Sequence, residues 1–241
     1  MYLIIDIGNT RAKILAMSQG EPVEETTSDS ETLCGLCDFA KRHQVSQGII
    51  STVAKVGEKA MEELGQLGIP LMWLNSDTPL PIPTTFPPEM GSDRIAAIVG
   101  AMALLPDVPL LIIDAGTCVT YEFTDEEGRY LGGNIAPGLR LRMLAMHEHT
   151  ALLPLVSVQG EVPEIGYDTD TAMRAGVVLG LQREIEGCIR HYRTKHPRLQ
   201  VLLTGGDGFG LEEYGDIIHT DHYLVPRGLY SILEWNLKDK A

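Results

Sequence analysis

Two short stretches carry the residue types that anion and metal chemistry needs. The first is Asp6-Ile7-Gly8-Asn9-Thr10-Arg11-Ala12-Lys13. Gly8 and Asn9 tolerate positive φ, so the turn can be tight and its N–H groups can converge on an anion. Thr10 adds a hydroxyl and Lys13 a point charge that a phosphate can use. Asp6 closes an apolar run, where a carboxylate can hold Mg²⁺ directly or through water. The second stretch is Asp114-Ala115-Gly116-Thr117. Each alone also suits a plain hairpin, because Asp, Gly and Asn are common turn residues. Together they are harder to dismiss: LIIDIGNT at 3–10 and LIIDAGTC at 111–118 are near copies. Two such loops on a repeated pattern point to a clamp for the phosphates of a nucleotide and a metal ion.

A third element, Gly91-Ser92-Asp93-Arg94, follows a Pro-rich loop and opens a helix. Ser92 is expected to be the N-cap. The helix dipole is expected to keep Asp93 ionised, with a depressed pKa. An ionised Asp can accept or orient the proton of a substrate hydroxyl, as phosphoryl transfer requires, and Arg94 can bind a carboxylate in a bidentate manner. The plainer alternative is helix capping with Arg94 in solvent. Gly132-Gly133-Asn134-Ile135-Ala136-Pro137-Gly138 permits close backbone approach to a ligand, and Thr204-Gly205-Gly206-Asp207-Gly208 is a Gly-rich turn against which an adenine could lie. Either is equally a connector.

Other features read as structural. Cys34 and Cys37 have CxxC spacing but fall inside an expected helix, and Cys118 and Cys188 stand alone, so buried thiols are the simpler reading. His147-Glu148-His149 reads as a polar helix end. Gly176 and Gly180 are expected to mark close helix packing. No P-loop, nucleophile elbow or Gly-x-Gly-x-x-Gly is present.

The elements that must position these residues follow from periodicity. Tyr2–Ile5 and Ala12–Met17 read as strands joined by the Gly8–Thr10 turn. Ser28 or Ser30 is expected to cap a helix to about His43, followed by a strand at 47–53, a helix at about 57–67 and a short strand at 70–74. Residues 78–88 hold Pro79, Pro81, Pro83, Pro87 and Pro88 and must be extended. A helix from Ser92 to about Leu105 comes next. The pattern then restarts with strands at 109–114, 118–123 and 130–135, helices at about 139–149 and 171–196, a strand at 202–203 and a final helix at about 226–237. The restart predicts a duplicated lobe, 1–108 and 109–241, with a cleft between the copies.

The chain has 241 residues, 44% hydrophobic and 22% charged, with a net charge of −14. That is enough for a sizeable core without disulfides or structural metals. The acidic balance argues against broad nucleic-acid or anionic-membrane binding, though a pocket can still be positive locally. Asp6 and Arg11 interrupt the apolar N-terminal residues and no basic segment precedes them, so no signal peptide is expected. Four Cys without a secretory segment suit a reducing cytoplasm.

Asp6 to Thr10, Gly91 to Arg94, Asp114 to Thr117, Gly133 to Gly138 and Asp168-Thr169 ahead of Ala172-Met173 and Gly176 form an ordered set. With this set the chain resembles the type III pantothenate kinases, members of the actin, sugar-kinase and heat-shock-chaperone ATPase superfamily, over nearly its whole length. The resemblance implies an α/β fold of two ribonuclease-H-like lobes (a duplicated actin-like ATPase core) with a cleft between them, assembled as a homodimer. It implies ATP-dependent phosphorylation of pantothenate, the first step of coenzyme A synthesis, in the cytoplasm, with no nucleic acid or membrane partner. Asp93 matches the catalytic base. Gly91, Ser92, Asp93, Arg94 and Thr169 match pantothenate contacts. Asp6, Ile7, Gly8, Asn9, Thr10, Arg11, Ala12, Lys13 and Thr117 match ATP contacts. Asp114 matches a ligand for a monovalent cation, K⁺ or ammonium, beside Mg²⁺ near Asp6. One position departs from the family. Seven residues before Gly91, where the family usually carries a Tyr, stands Thr84, with Phe86 the nearest aromatic. Two alternatives follow: the same fold acting on another hydroxylated metabolite, and a non-catalytic nucleotide-binding accessory factor.

Overall fold

The computed structural model describes residues 1–9, 11–206 and 215–238. The chain divides into two compact units. The first comprises Met1–Asp107, Gly128–Tyr130 and the segment from Tyr223 on; the second comprises Val108–Glu127 and Leu131–His222. The sequence restart places the division after residue 108. The structure differs in two respects: the last helix and the short segment Gly128–Tyr130 both pack in the first unit.

In the first unit, strands β1 (Tyr2–Ile7), β2 (Arg11–Ser18), β3 (Glu21–Asp29), β4 (Gln47–Thr52) and β5 (Leu71–Trp73) form one sheet in the order β3-β2-β1-β4-β5. β1 is central, antiparallel to β2 and parallel to β4. Side chains alternate along a strand. Leu3, Ile5 and Ile7 therefore share one face, buried with Leu36 and Phe39 of α1 (Leu36–Arg42) and Ala60 and Leu64 of α2 (Glu58–Gln66). Tyr2, Ile4 and Asp6 share the other, where Tyr2 packs on Tyr230 of the last helix at 5.4 Å between ring centres.

Helices α3 (Ser92–Leu104) and α6 (Leu224–Lys238) touch backbone to backbone. A Cβ on Gly100 would strike the Leu224 carbonyl, and one on Gly228 the Ala96 carbonyl. These are the glycines of close helix packing. Gly176 and Gly180, expected in that role, meet nothing. Arg227 locks α6 further by donating to the Gly20 carbonyl at 2.7 Å and to the Glu21 carboxylate at 2.8 Å.

In the second unit, β6 (Leu110–Ala115), β7 (Cys118–Thr124), β8 (Tyr130–Pro137), β9 (Gln200–Gly205) and β10 (Ile218–Thr220) form a sheet in the order β10-β9-β6-β7-β8. Counted within its own unit, each sheet has its strands in the order third, second, first, fourth, fifth. The repeat seen in the sequence is thus a repeat of topology. Leu111, Ile113 and Ala115 face Met143 of α4 (Leu139–Glu148) and Met173, Val177, Leu181 and Ile185 of α5 (Thr169–Lys195).

Two strands lie where sequence periodicity shows none. β3 is an edge strand exposed at most of its residues, so it carries Glu and Thr in place of an apolar alternation. β10 is three residues long. The helix expected from Ser28 or Ser30 starts only at Leu36: Ser28 belongs to β3 and its hydroxyl donates to the Cys34 carbonyl at 3.1 Å. Cys34 therefore precedes α1, and all four cysteines are free, but they are not the buried thiols expected: Cys34 and Cys118 are exposed and Cys37 and Cys188 half-buried.

Candidate functional site

Asp6 is the next-to-last residue of β1, opposite Lys13 on β2 and Ser51 on β4. Directly opposed residues of neighbouring strands share a face, so a carboxylate, an ammonium and a hydroxyl stand together at the strand ends. Lys13 lies 3.6 Å from the Glu25 carboxylate and 4.8 Å from the centre of the Tyr223 ring. The Gly8 N–H donates to the Arg11 carbonyl at 3.1 Å and closes the turn. Asn9 and Arg11 are exposed. Ile7 and Ala12 are buried in the core, so only their main chain can serve a ligand. Thr10 lies outside the described residues.

The start of α3 is bolted to the end of β4. The buried Ser92 hydroxyl donates to the Thr52 carbonyl at 3.0 Å, accepts from the Thr52 N–H at 3.0 Å, and lies 3.0 Å from the Ser51 hydroxyl. Ser92 is therefore not the N-cap. Gly91 holds that position, without a side-chain cap, and Ser92 is the first helical residue. The adjacent Asp93 also differs from expectation. Burial pushes its carboxyl above the ordinary carboxylate range, and the Arg94 N–H (2.7 Å to Oδ1) and the Arg94 charge offset this only in part. Desolvation outweighs the helix terminus here. The result favours chemistry, since a carboxylate with a raised pKa is a better proton acceptor. A Cβ on Gly91 would come within 2.5 Å of Asp93 Oδ1, so glycine at 91 leaves the carboxylate its place.

Arg94 donates through Nη2 to the Tyr130 hydroxyl at 3.3 Å. The Tyr130 N–H donates to Thr84 Oγ1 at 3.1 Å, and the Tyr130 ring packs on Phe86 at 5.2 Å between centres. At the position where the resemblance leads one to expect a Tyr, Thr84 thus holds a tyrosine that comes from elsewhere in the chain.

The second unit repeats the first device. Asp114 is the next-to-last residue of β6, opposite Thr120 on β7 and Thr204 on β9. The Gly116 N–H donates to the Cys118 carbonyl at 3.0 Å, as Gly8 does to Arg11. Thr117 is exposed in this turn. Behind it, the Gly138 N–H donates to the Thr117 carbonyl at 3.0 Å, and a Cβ there would strike the Gly116 carbonyl. Gly138 is held in turn by Arg142, which donates to the Pro137 carbonyl at 2.7 Å and to Glu184 at 2.6 Å. Gly133 serves packing, because a Cβ would strike Glu122 and the Tyr121 carbonyl. Gly205 has φ +98° and lets the Gly206 N–H reach the Ala115 carbonyl at 3.0 Å; Asp207 and Gly208 lie outside the described residues. Thr169 is the first residue of α5 and is exposed, in the other unit from Gly91–Arg94. Its neighbour Asp168 caps the helix by accepting from the Thr171 N–H at 2.8 Å and the Thr171 hydroxyl at 2.6 Å, which holds its carboxyl below the usual range.

Among the described residues, no three His, Cys, Asp or Glu side chains gather as a metal cage. A hard cation held by one carboxylate and completed by ligand oxygens fits such a site, as Mg²⁺ with nucleotide phosphates does. His147 closes a loop instead, with Nδ1 2.8 Å from the Leu153 carbonyl. No described helix is long and apolar enough to cross a membrane.

Two sheets of equal strand order, each with an Asp next to the end of its central strand and a glycine turn after it, define a duplicated two-unit α/β fold. Solved structures agree on the fold. A conserved Baf family protein of Campylobacter jejuni superposes with a TM-score of 0.62 at 24% identity, covering 98% of this chain and 99% of that one. The activator of 2-hydroxyisocaproyl-CoA dehydratase from Clostridium difficile, with bound ADPNP, superposes with a TM-score of 0.56 at 15% identity, covering 99% and 97%. The profile of the type III pantothenate kinases matches residues 2–191. Type III pantothenate kinases of Bacteroides fragilis and Porphyromonas gingivalis are 43% and 37% identical, each covering 98% of both chains. The chain belongs to the type III pantothenate kinase family.

Proposed function

We propose that the protein transfers the γ-phosphoryl group of ATP to the primary hydroxyl of pantothenate, the first step of coenzyme A synthesis. The observation that carries this reading is Asp93, a carboxylate with a raised pKa set at the start of α3 by Gly91 and the Ser92 bolt. Asp93 accepts the proton of the attacking hydroxyl as the new O–P bond forms and the bond from the γ-phosphorus to the bridging oxygen breaks, with ADP as the leaving group, and Arg94 holds the substrate carboxylate. The turn of residues 6–13, with Lys13, and Thr117 bind the phosphates. Thr169 adds a substrate contact. The oxygen donors suit Mg²⁺ near Asp6 and K⁺ or ammonium near Asp114, and the cations would neutralise charge on the transferring group. The reading also takes the protein as a cytoplasmic homodimer. The groove lined by Leu141, Ala145, Met146, Met173, Gly176 and Val177 offers about 700 Å³ of mostly apolar space for a second copy.

The test is purified protein with ATP, Mg²⁺, K⁺ and pantothenate. Formation of 4′-phosphopantothenate is expected, with a dependence on the monovalent cation. No product under any cation condition would overturn the reading. Turnover of another hydroxylated metabolite alone would move the protein to a different substrate.

A further inference from the structure

Tyr130 lies outside the ordered motif set, yet it is built into the same corner as Arg94. Its backbone is fixed by the N–H bond to Thr84 Oγ1 and its ring by Phe86. Thr84 and Phe86 belong to the Pro-rich loop, where the flanking prolines restrict the backbone on both sides. The hydroxyl of a tyrosine so held is a fixed point, and the Arg94 guanidinium donates to it. An Arg side chain has long rotamer freedom, and fixing one N–H orients the whole planar fork. The bond from Nη2 to the Tyr130 hydroxyl at 3.3 Å ties one corner of the planar group to that fixed point and so bears on the direction in which the fork faces. Bidentate recognition of a carboxylate depends on that direction.

We propose that Tyr130 is a positioning residue for substrate selection: its hydroxyl sets the Arg94 guanidinium that reads the substrate's carboxylate, with Thr84 and Phe86 as its brace. The proposal rests on the pantothenate reading above. It makes position 84 part of carboxylate recognition indirectly, through a hydroxyl that holds a backbone rather than through a ring that touches substrate.

The test compares wild type, Tyr130→Phe and Arg94→Lys on pantothenate and on the neutral alcohol in which a hydroxymethyl group replaces the carboxylate. Tyr130→Phe keeps the ring on Phe86 and the bond to Thr84 and removes only the hydroxyl. The loss of one hydrogen bond to a charged group predicts a KM for pantothenate about tenfold higher. kcat, the KM for ATP and the KM for the neutral alcohol stay within about twofold, because a merely structural role would move both substrates alike. Adding Tyr130→Phe to Arg94→Lys changes the pantothenate KM little further, since the two act as one unit. Thr84→Val, which cuts the brace without touching the tyrosine, raises the pantothenate KM in the same selective way. An unchanged pantothenate KM in Tyr130→Phe, or an equal rise for both substrates, overturns the proposal alone. A wild-type protein that turns over no pantothenate overturns the functional reading and the proposal with it.

Discussion

Replacing Gly91 by Ala separates stability from catalysis at a single methyl group. Gly91 has φ −57° and ψ 138°, a conformation alanine adopts without strain. Losing a glycine lowers the entropy of the unfolded chain by roughly 0.4–1 kcal/mol, while alanine is a poorer N-cap by a similar amount. The melting temperature is therefore expected to stay near that of wild type. The new Cβ would stand 2.5 Å from Asp93 Oδ1 and 3.6 Å from Val53 Cγ1. Carbon and oxygen make ordinary contact at about 3.4 Å, so the carboxylate must yield by roughly 0.9 Å, and it is the only soft side of that contact. A misplacement of about 1 Å at a reacting group costs on the order of 100-fold in rate. Steady-state kinetics with saturating ATP and pantothenate should thus show kcat down by about two decades, with the KM for ATP unchanged. Wild-type turnover by a correctly folded Gly91→Ala protein would refute the placement of Asp93 as proton acceptor.

Asp93 and Gly228, both in the first lobe, carry the other predictions. Asp93→Asn retains an acceptor for the Arg94 N–H but cannot take a proton, so turnover should fall by about 10²–10⁴. Because burial raises the Asp93 pKa, the folded state holds that proton more tightly than the unfolded chain. The Asp93 contribution to stability is complete below its unfolded pKa and is lost as pH rises through the folded value. Asp93→Asn should therefore melt higher than wild type at neutral pH, and wild-type kcat/KM should fall with acid at a pH above the ordinary aspartate value of 3.8. A lower melting temperature or a flat acid limb would contradict this. Gly228→Ala places a Cβ against the Ala96 carbonyl, where no side chain can move aside. Overpacking of this kind costs about 1–3 kcal/mol, which calorimetry should read as a drop of roughly 2–10 °C.

The two Asp turns, the two central strands and the helix carrying Asp93 were legible in the sequence because each sits on a buried apolar run. β3 was not, since an edge strand exposed at most of its residues has no apolar alternation to read. The placing of Ser51 and Thr204 beside the site carboxylates was illegible for a different reason: each becomes a neighbour of its Asp only through parallel pairing with a distant strand. Their one local signal is shared, a hydroxyl at the end of an apolar run in GIIST and VLLTG. Ser92 illustrates a competition that local rules cannot decide. Its capping propensity is real, but the open backbone of Thr52 offers better partners once β4 and α3 meet. The Asp93 pKa was expected in the wrong direction because the helix terminus is visible in sequence and burial is not. Tyr130 comes to Arg94 from 36 positions away, across a turn whose path no local pattern gives.

The placement of α6 has a consequence for how the protein is made. The first lobe needs α6, through Gly100 and Gly228 and through the buried Leu224, Leu229, Ile232 and Leu233. During synthesis, residues 1–107 emerge first but wait for their last helix, while the whole of 108–222 is translated in between. The helix carrying Asp93 thus gains its final support only once Leu224–Lys238 has been made. A chain cut before α6 keeps every strand of both sheets but leaves the Asp93 helix without the surface it packs on.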